Sequence, residues 1–431
     1  MSLFGLLGGL FRAKYTETLI LFSLLVPLSF GSMYKTTDYL EDMFVCLNGV
    51  NGMMVFMTLS LLLLISLATG RSTQYYLSLQ LLLSIIVVMC FCSNNLLLFF
   101  ICFESSLIPI LLLIISWGYQ PERLQAALYM ILYTVLGSVP LFLTVLYMYS
   151  ISGSLSFYSF TNFWGSLMVV PTYFCMVAFL VKLPLFSVHV WLPKAHVEAP
   201  LGGSMVLAGV LLKLGGYGVY LFNLLFLEGS STFTFAGIIS LSLWGGVMAA
   251  VVCLMQSDIK SMIAYSSIVH MSLVTMGFVS NTTWGFTSAI VTMVAHGWVS
   301  SALFLVAYVT YSRVGSRSFL YTKGLLTFYP WLSLSWFVLC TINMAAPPTI
   351  NFLGELMAVV ACAHLSFWLL VTLMSTLFLS VAYNMLLYSK VNHGAGSSYM
   401  SMGVVLTSAN YLQLGGHIMP LMLLMSMDMC C

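Results

Sequence analysis

The sequence predicts an all-α polytopic membrane protein built as two inverted repeats with broken helices. Three observations predict it. Of 431 residues, 61% are apolar and 6% charged, against about 25% charged in a soluble domain. Apolar stretches of spanning length recur along the whole chain. Two of them, five spans apart, are interrupted by proline.

A helix needs about 20 apolar residues to cross a bilayer. Thirteen stretches qualify: 18–34, 47–69, 75–92, 94–117, 123–150, 168–190, 202–227, 233–255, 259–280, 284–311, 325–363, 366–390 and 403–427. The eleventh is too long for one straight helix. Pro347–Pro348 divides it into two half-helices. The organisation that follows is N-terminal helices over 1–74, a first half over 75–227, a second half over 233–390 and a C-terminal helix over 391–431. The opening apolar stretch, about ten residues before the first charge, is too short to span and has no signal-peptide cleavage pattern.

Charge supports alternating spans. One side receives Arg12, Lys14, Arg71, Arg123, Lys194, Lys260, Arg313, Arg317, Lys323 and Lys390, and the other only Lys35. Asp38, Glu41, Asp42, Glu228 and Asp428 fall on the poorer side. Cations stay where the chain is inserted from, so the N-terminus faces the cytoplasm or matrix. The net charge of +2, without a basic run or acidic tail, gives no sign of nucleic-acid binding. Ten cysteines lie mostly in apolar runs and form no CxxC, so cluster or zinc ligation is not expected.

The sixth span is broken at Pro184 and the eleventh at Pro347–Pro348. An odd offset of five spans makes the repeats inverted, with a site at each break. Lys182 stands beside the first break and Glu355 beside the second. Glu104 lies two spans before the first, and His270 two spans before the second. The separations, 182 − 104 = 78 and 355 − 270 = 85, are similar enough to suggest one duplicated unit.

Each intramembrane ionisable group needs a reason. Glu104, Lys182, Lys213 and Glu355 would together cost about 12 kcal/mol if left to lipid, which rivals the whole stability of a domain. They are therefore expected on a shared internal hydrated axis. An isolated Glu104 could stand neutral, bonded to a neighbouring helix. A partner in Lys182 would instead make a switchable ion pair, since moving the carboxylate away frees the lysine's proton. Lys213 is one turn from Gly209 and Gly216 and so faces a close-packed interior. His270 follows Ser266 and Ser267 by a turn, and His296 has Thr292 and Ser300 one turn either side. Such stripes suit a water-linked proton path; bonding to a neighbouring hydroxyl would serve structure alone. Asn351 is one turn before Glu355. The polar turn with His189, Lys194, His196 and Glu198 lies nearer the surface, as loop structure or as proton uptake. Glu122 and Arg123 read as an anchor at the start of a span. No metal-ligand spacing occurs.

The stretches FESSLIPILLLIISWGYQPERLQAALYMILYTVLGSVPL, VKLPLFSVHVWLPKAHVEAPLGGSMVLAGVLLKLGGYG, SDIKSMIAYSSIVHMSLV, MVAHGWVSSALFL and APPTINFLGEL resemble the subunit 4 family of proton-pumping NADH:ubiquinone oxidoreductase, respiratory complex I, in its mitochondrial form. The likeness covers about residues 75–390. It implies two inverted five-helix repeats and a proton channel in a membrane arm. It implies Glu104 and Lys182 as the input-side ion pair, Lys213 as the group that hands the proton on, His270 and His296 on the central axis, and Glu355 at the exit. It implies no cofactor in this chain, with FMN, iron–sulfur clusters and ubiquinone in other subunits, and as partners the neighbouring membrane-arm subunits, especially subunits 2 and 5, with lipids such as cardiolipin in the mitochondrial inner membrane. The chain has one span fewer than that family, the missing one being the first, and residues 1–11 are its remnant. It ends directly after its last span, unlike subunit 5 with its lateral helix. A sodium/proton antiporter subunit would share the fold, and a scaffold without pumping would not need the four buried charges.

Overall fold

Hydrocarbon offers the backbone no hydrogen bonds, so a chain this apolar must satisfy its own amides in helices. A computed structural model describes residues 14–33, 49–70, 73–157, 169–226, 232–396 and 406–423. Among them are helices and two isolated antiparallel bridges, and no strand. Arg12, Lys35, Asp38, Glu41, Asp42, Arg71, Glu228, Asp428 and the proposed remnant at 1–11 lie outside the described residues.

Each expected stretch contains helix in its described part. The first three are α1 (Tyr15–Met33), α2 (Gly49–Thr69) and α3 (Gln74–Cys92). The fourth is interrupted at Ser106 into α4 (Leu96–Ser105) and α5 (Leu107–Trp117), and α6 is Arg123–Ser152. Then come α7 (Val169–Lys182), α8 (Trp191–Glu198) and α9 (Leu201–Val206), which runs through a wide π turn, Leu207–Leu211, into α10 (Leu212–Phe226). They are followed by α11 (Thr232–Leu254), α12 (Ile259–Val279), α13 (Thr283–Val314) and the short α14 (Leu325–Phe328). The chain closes with α15 (Pro330–Asn343), α16 (Ile350–Leu365), α17 (Phe367–Asn392) and α18 (Ser408–Leu423). Among the described residues nine spans have the length and hydropathy to cross a bilayer unaided. α15 and α16 are shorter because their stretch is broken, and α7 is described from Val169 to its break.

Both breaks fall at the prolines. Proline lacks an N–H and pushes the preceding residue out of helical geometry. α7 ends at Lys182, two residues before Pro184. α15 ends at Asn343, four before Pro347, and α16 begins at Ile350. The polar turn expected after the first break is corrected here. Trp191–Glu198 is a helix, and Trp191, Leu192, Ala195, His196 and Glu198 are buried. Tertiary contacts hold an element too short to be stable alone.

The chain forms two compact units. One takes residues up to Leu183 with Glu198–Gly237, and the other takes Pro184–Val197 with Ile238–Met427. Each carries the same local pattern. In the first, the Cys90 thiol donates to the Phe99 carbonyl, and Asn95 bridges Ser156 just before α4. In the second, Cys253 donates to Met262, and Asp258 bridges Ser318 just before α12. The offset is constant: 253 − 90, 262 − 99 and 258 − 95 are all 163. This corrects the pairing read from the ionisable residues. The same offset carries Glu104 to Ser267, not His270, and Lys182 to Ala345, just past the end of α15. Lys182 closes the helix before its break, whereas Glu355 lies inside the helix after one.

In the second unit the cations gather at one end. Lys260 and Arg317 both donate to the carbonyl of Val197, at 3.3 and 2.5 Å, and Lys390 sits over the Phe319 ring at 5.1 Å. Lys260, one of the cations assigned to the richer side, is buried. It and Arg317 hold the negative end of α8.

Candidate functional site

The first group forms where α4 gives way to α5. Pro109 has no N–H to offer the Ser105 carbonyl four residues back, which weakens the helix there. The carbonyl of Phe103 takes two side-chain donors, Ser106 Oγ at 2.7 Å and Lys182 Nζ at 2.6 Å. Lys182, the last residue of α7 and 5% exposed, also lies 3.2 Å from the centroid of the Phe103 ring. Its Nζ is 3.8 Å from Glu104 Oε1, and the glutamate side chain is 21% exposed. That contact is an ion pair too long to be a hydrogen bond. The lysine is thus anchored by a carbonyl and a ring, while its carboxylate partner is held only by charge.

Lys213 is wholly buried and donates to the Ala208 carbonyl at 2.6 Å. Ala208 lies in the π turn, where amides bond five residues back rather than four; Leu212 N–H reaches Leu207 O in this way. Lys213 is five residues after Ala208, so its side chain takes the place that a backbone donor would fill in a longer π run. The glycines beyond it allow close approach to α7. A Cβ at Gly215 would stand 3.2 Å from Lys182 Cβ, and one at Gly218 would enter the Phe179 ring. Gly218→Val is therefore expected to destabilise the subunit by about 1–3 kcal/mol, seen as faster thermal inactivation and less assembled protein. Unchanged thermal inactivation would count against this packing.

The second unit brings His270 and His296 together, with ring centroids 5.3 Å apart. Tyr383 of α17 reaches His270 Nε2 with its hydroxyl at 3.5 Å and lies within electrostatic reach of Glu355. The expected hydroxyl stripes point inward on their own helices. Ser266, Ser267, Thr292 and Ser300 donate to the carbonyls of Ile263, Ala264, Ser288 and His296. Their protons are committed to the backbone, and their lone pairs stay open to a donor. Glu355 is 9% exposed, and its Oε1 has no hydrogen-bond partner among the described residues. α16 packs closely on α13 here: a Cβ at Gly354 would stand 2.5 Å from Thr292 Cγ2. Asn351 spans the break, donating to the Ile342 carbonyl at 2.8 Å, and Asn343 donates to Asn384 at 2.9 Å.

His189 and His196 are buried, not near-surface loop residues. His189 stacks on Phe186 and contacts its carbonyl, and His196 stacks on Phe304 at 4.7 Å. Arg123 closes α5 by donating to the Gly118 carbonyl at 2.7 Å. Sequence reasoning missed Ser106, the π turn, Tyr383, Asn343 and Asn384. The usable signals were Pro109 inside a span and the asparagines within apolar helices. Among the described residues no three His, Cys, Asp or Glu side chains gather as metal ligands do.

A family described as "NADH:quinone oxidoreductase/Mrp antiporter, TM" matches residues 93–380, inside the 75–390 that carried the resemblance. NADH-ubiquinone oxidoreductase chain 4 of Albinaria caerulea is 43% identical over 416 residues, covering 95% of this chain and 94% of its own. A chain of respiratory complex I from Thermus thermophilus superposes with a TM-score of 0.87 at 24% identity, covering 99% of this chain and 95% of that one. A chain of the Mrp complex from Dietzia sp. DQ12-45-1b gives 0.82 at 18%, covering 92% and 79%. The last two speak for the fold. With the motif-bearing stretches inside the matched region and the relative aligned nearly end to end, the chain belongs to the NADH-ubiquinone oxidoreductase chain 4 family.

Proposed function

We propose that this chain is a proton-translocating membrane-arm subunit of NADH:ubiquinone oxidoreductase, driven by quinone reduction elsewhere in the complex. The observation that carries the reading is the loose Glu104–Lys182 pair at 3.8 Å. A lysine anchored by its neighbours, with a carboxylate that can leave, is a group whose charge can be switched. Glu104 and Lys182 take up the proton, Lys213 passes it on, His270 and His296 carry it, and Glu355 releases it. The chain needs no redox group for this; FMN, iron–sulfur clusters and ubiquinone belong to other subunits. Working regions are 1–74, 75–227, 233–390 and 391–431.

The chain sits multiply spanning in the mitochondrial inner membrane with its N-terminus in the matrix. The shared end of Lys260, Arg317 and Lys390 supports a single cation-rich side. Neighbours are the other membrane-arm subunits, foremost subunits 2 and 5, and anionic lipid such as cardiolipin against that side. The competing reading is a subunit of a multisubunit sodium/proton antiporter, which shares the fold. Reconstituted complex containing this chain is expected to build a pH gradient on NADH oxidation that is the same with and without sodium. A gradient that requires sodium, or exchange of sodium for protons without NADH, would establish the antiporter instead.

A further inference from the structure

We propose that Tyr217 is a positioning residue for Lys213, acting through Asn51 and the carbonyl of Phe91. The proposal rests on reading Lys213 as a proton carrier. Tyr217 lies four residues after Lys213 on α10, one turn on along the same face. It is wholly buried. Its hydroxyl is 2.8 Å from Asn51 Oδ1 and 3.0 Å from the carbonyl of Phe91. Asn51 stands in the first turn of α2. Phe91 is next to last in α3, so its carbonyl has no N–H ahead in its own helix.

The chemistry of the knot fixes its direction. A tyrosine hydroxyl has one proton, and both neighbours as drawn are acceptors. The hydroxyl faces Asn51 Oδ1 and the Phe91 carbonyl together and shares its one proton between them. The ring is held as well, edge-to-face on Phe91 with centroids 5.1 Å apart and tilted against Phe99 at 6.2 Å. Two helix ends and an aromatic cluster thus converge one turn beyond Lys213.

That anchor stands next to a part of the helix that can slip. The π turn Leu207–Leu211 holds one extra residue and ends two residues before Lys213. Tightening it into α geometry would take that extra residue out of the winding and rotate everything beyond it by about 100°. Lys213 would then swing away from the Ala208 carbonyl. Tyr217, fixed to α2 and α3, resists that rotation and so selects where Lys213 points.

The test uses the assembled complex with Tyr217→Phe, Asn51→Ala, both together, and Lys213→Gln. Tyr217→Phe keeps the ring and removes only the hydroxyl. Assembly is expected within about twofold of normal, with coupled proton pumping reduced about three- to tenfold, the range set by one buried hydrogen bond. The pH profile of coupled turnover is expected to move by about half a unit or more, because the lysine changes surroundings. Asn51→Ala should reproduce both effects, and the double variant should be no worse than either single one. If Tyr217→Phe alone fails to assemble, Asn51→Ala carries the same expectation. Normal pumping and an unmoved pH profile, losses that multiply in the double variant, or assembly lost in both single variants would overturn the proposal. Lys213→Gln separates the layers. If it pumps normally, the carrier reading itself is wrong; if it is dead while Tyr217→Phe is normal, only the positioning role fails.

Discussion

Lys182→Ala is expected to reduce proton pumping coupled to NADH oxidation by at least about tenfold, the largest effect of any single change outside the redox subunits. Removing the lysine removes three contacts at once: the Phe103 carbonyl at 2.6 Å, the Phe103 ring and the Glu104 carboxylate at 3.8 Å. Truncating one member of a buried pair leaves the other uncompensated and costs about 3–5 kcal/mol, so some loss of assembled enzyme accompanies the loss of pumping. The two effects can be parted. Replacing both members by neutral side chains of similar volume, Glu104→Gln with Lys182→Met, relieves the stranded carboxylate and is close to neutral for stability. The double variant is expected to assemble like the parent and still not pump. The measurement is the proton-to-electron ratio in sealed vesicles, beside the amount of assembled complex. A parental ratio in either variant would remove this pair from the mechanism.

The membrane class and the position of nearly every helix were legible because the signals are local. About twenty apolar residues cannot be anything else in a chain with so few charges, and the helices do break at Pro184 and Pro347–Pro348, although α1, α6 and α18 run through Pro27, Pro140 and Pro420. The proximity of Glu104 and Lys182 was legible for a related reason: a charge in an apolar run needs a partner, and few candidates exist. What failed depended on tertiary structure. α8 looked like a surface turn because its eight residues mix polar and apolar side chains. It is helical because Lys260 and Arg317 hold its end and Phe304 covers His196, none of which is local. The π turn leaves no recognisable pattern in LAGVL. The pairing of ionisable residues between the halves was misread because an ionisable side chain need not stand at an equivalent backbone position. The duplicated thiol contacts and the first member of each bridge lie at the constant offset, and the second bridge members at 318 − 156 = 162. Tyr383, Asn343 and Asn384 went unnoticed because a tyrosine or asparagine in an apolar helix is ordinary until its partner on another helix is known.

Glu355→Gln is expected to separate stability from function in the opposite sense. The side chain is 9% exposed, and Oε1 finds no hydrogen bond among the described residues. A carboxyl group there is a liability for folding, since a buried polar atom without a partner costs about 1–3 kcal/mol and a charge more. Glutamine has the same shape and cannot ionise. It keeps the volume that fits beside Gly354, where the backbone stands close against Thr292. Stability is therefore expected to stay level or rise, by up to about 1 kcal/mol. If Glu355 releases the proton, pumping falls at least about tenfold in the same variant, because no neighbour at the break can take its charge: Asn351 and Asn343 are both amides committed to other groups. Glu355→Asp, which keeps the charge but draws it back by one methylene, should retain part of the activity. The readouts are thermal inactivation of the complex and its proton-to-electron ratio. A variant that loses both in proportion would mean that Glu355 is a packing residue. One that keeps a parental ratio would move the exit elsewhere in the second unit, with the His270–Tyr383 contact as the next group to test. Level or raised stability with a loss of pumping fits a carboxylate that folding alone would discard.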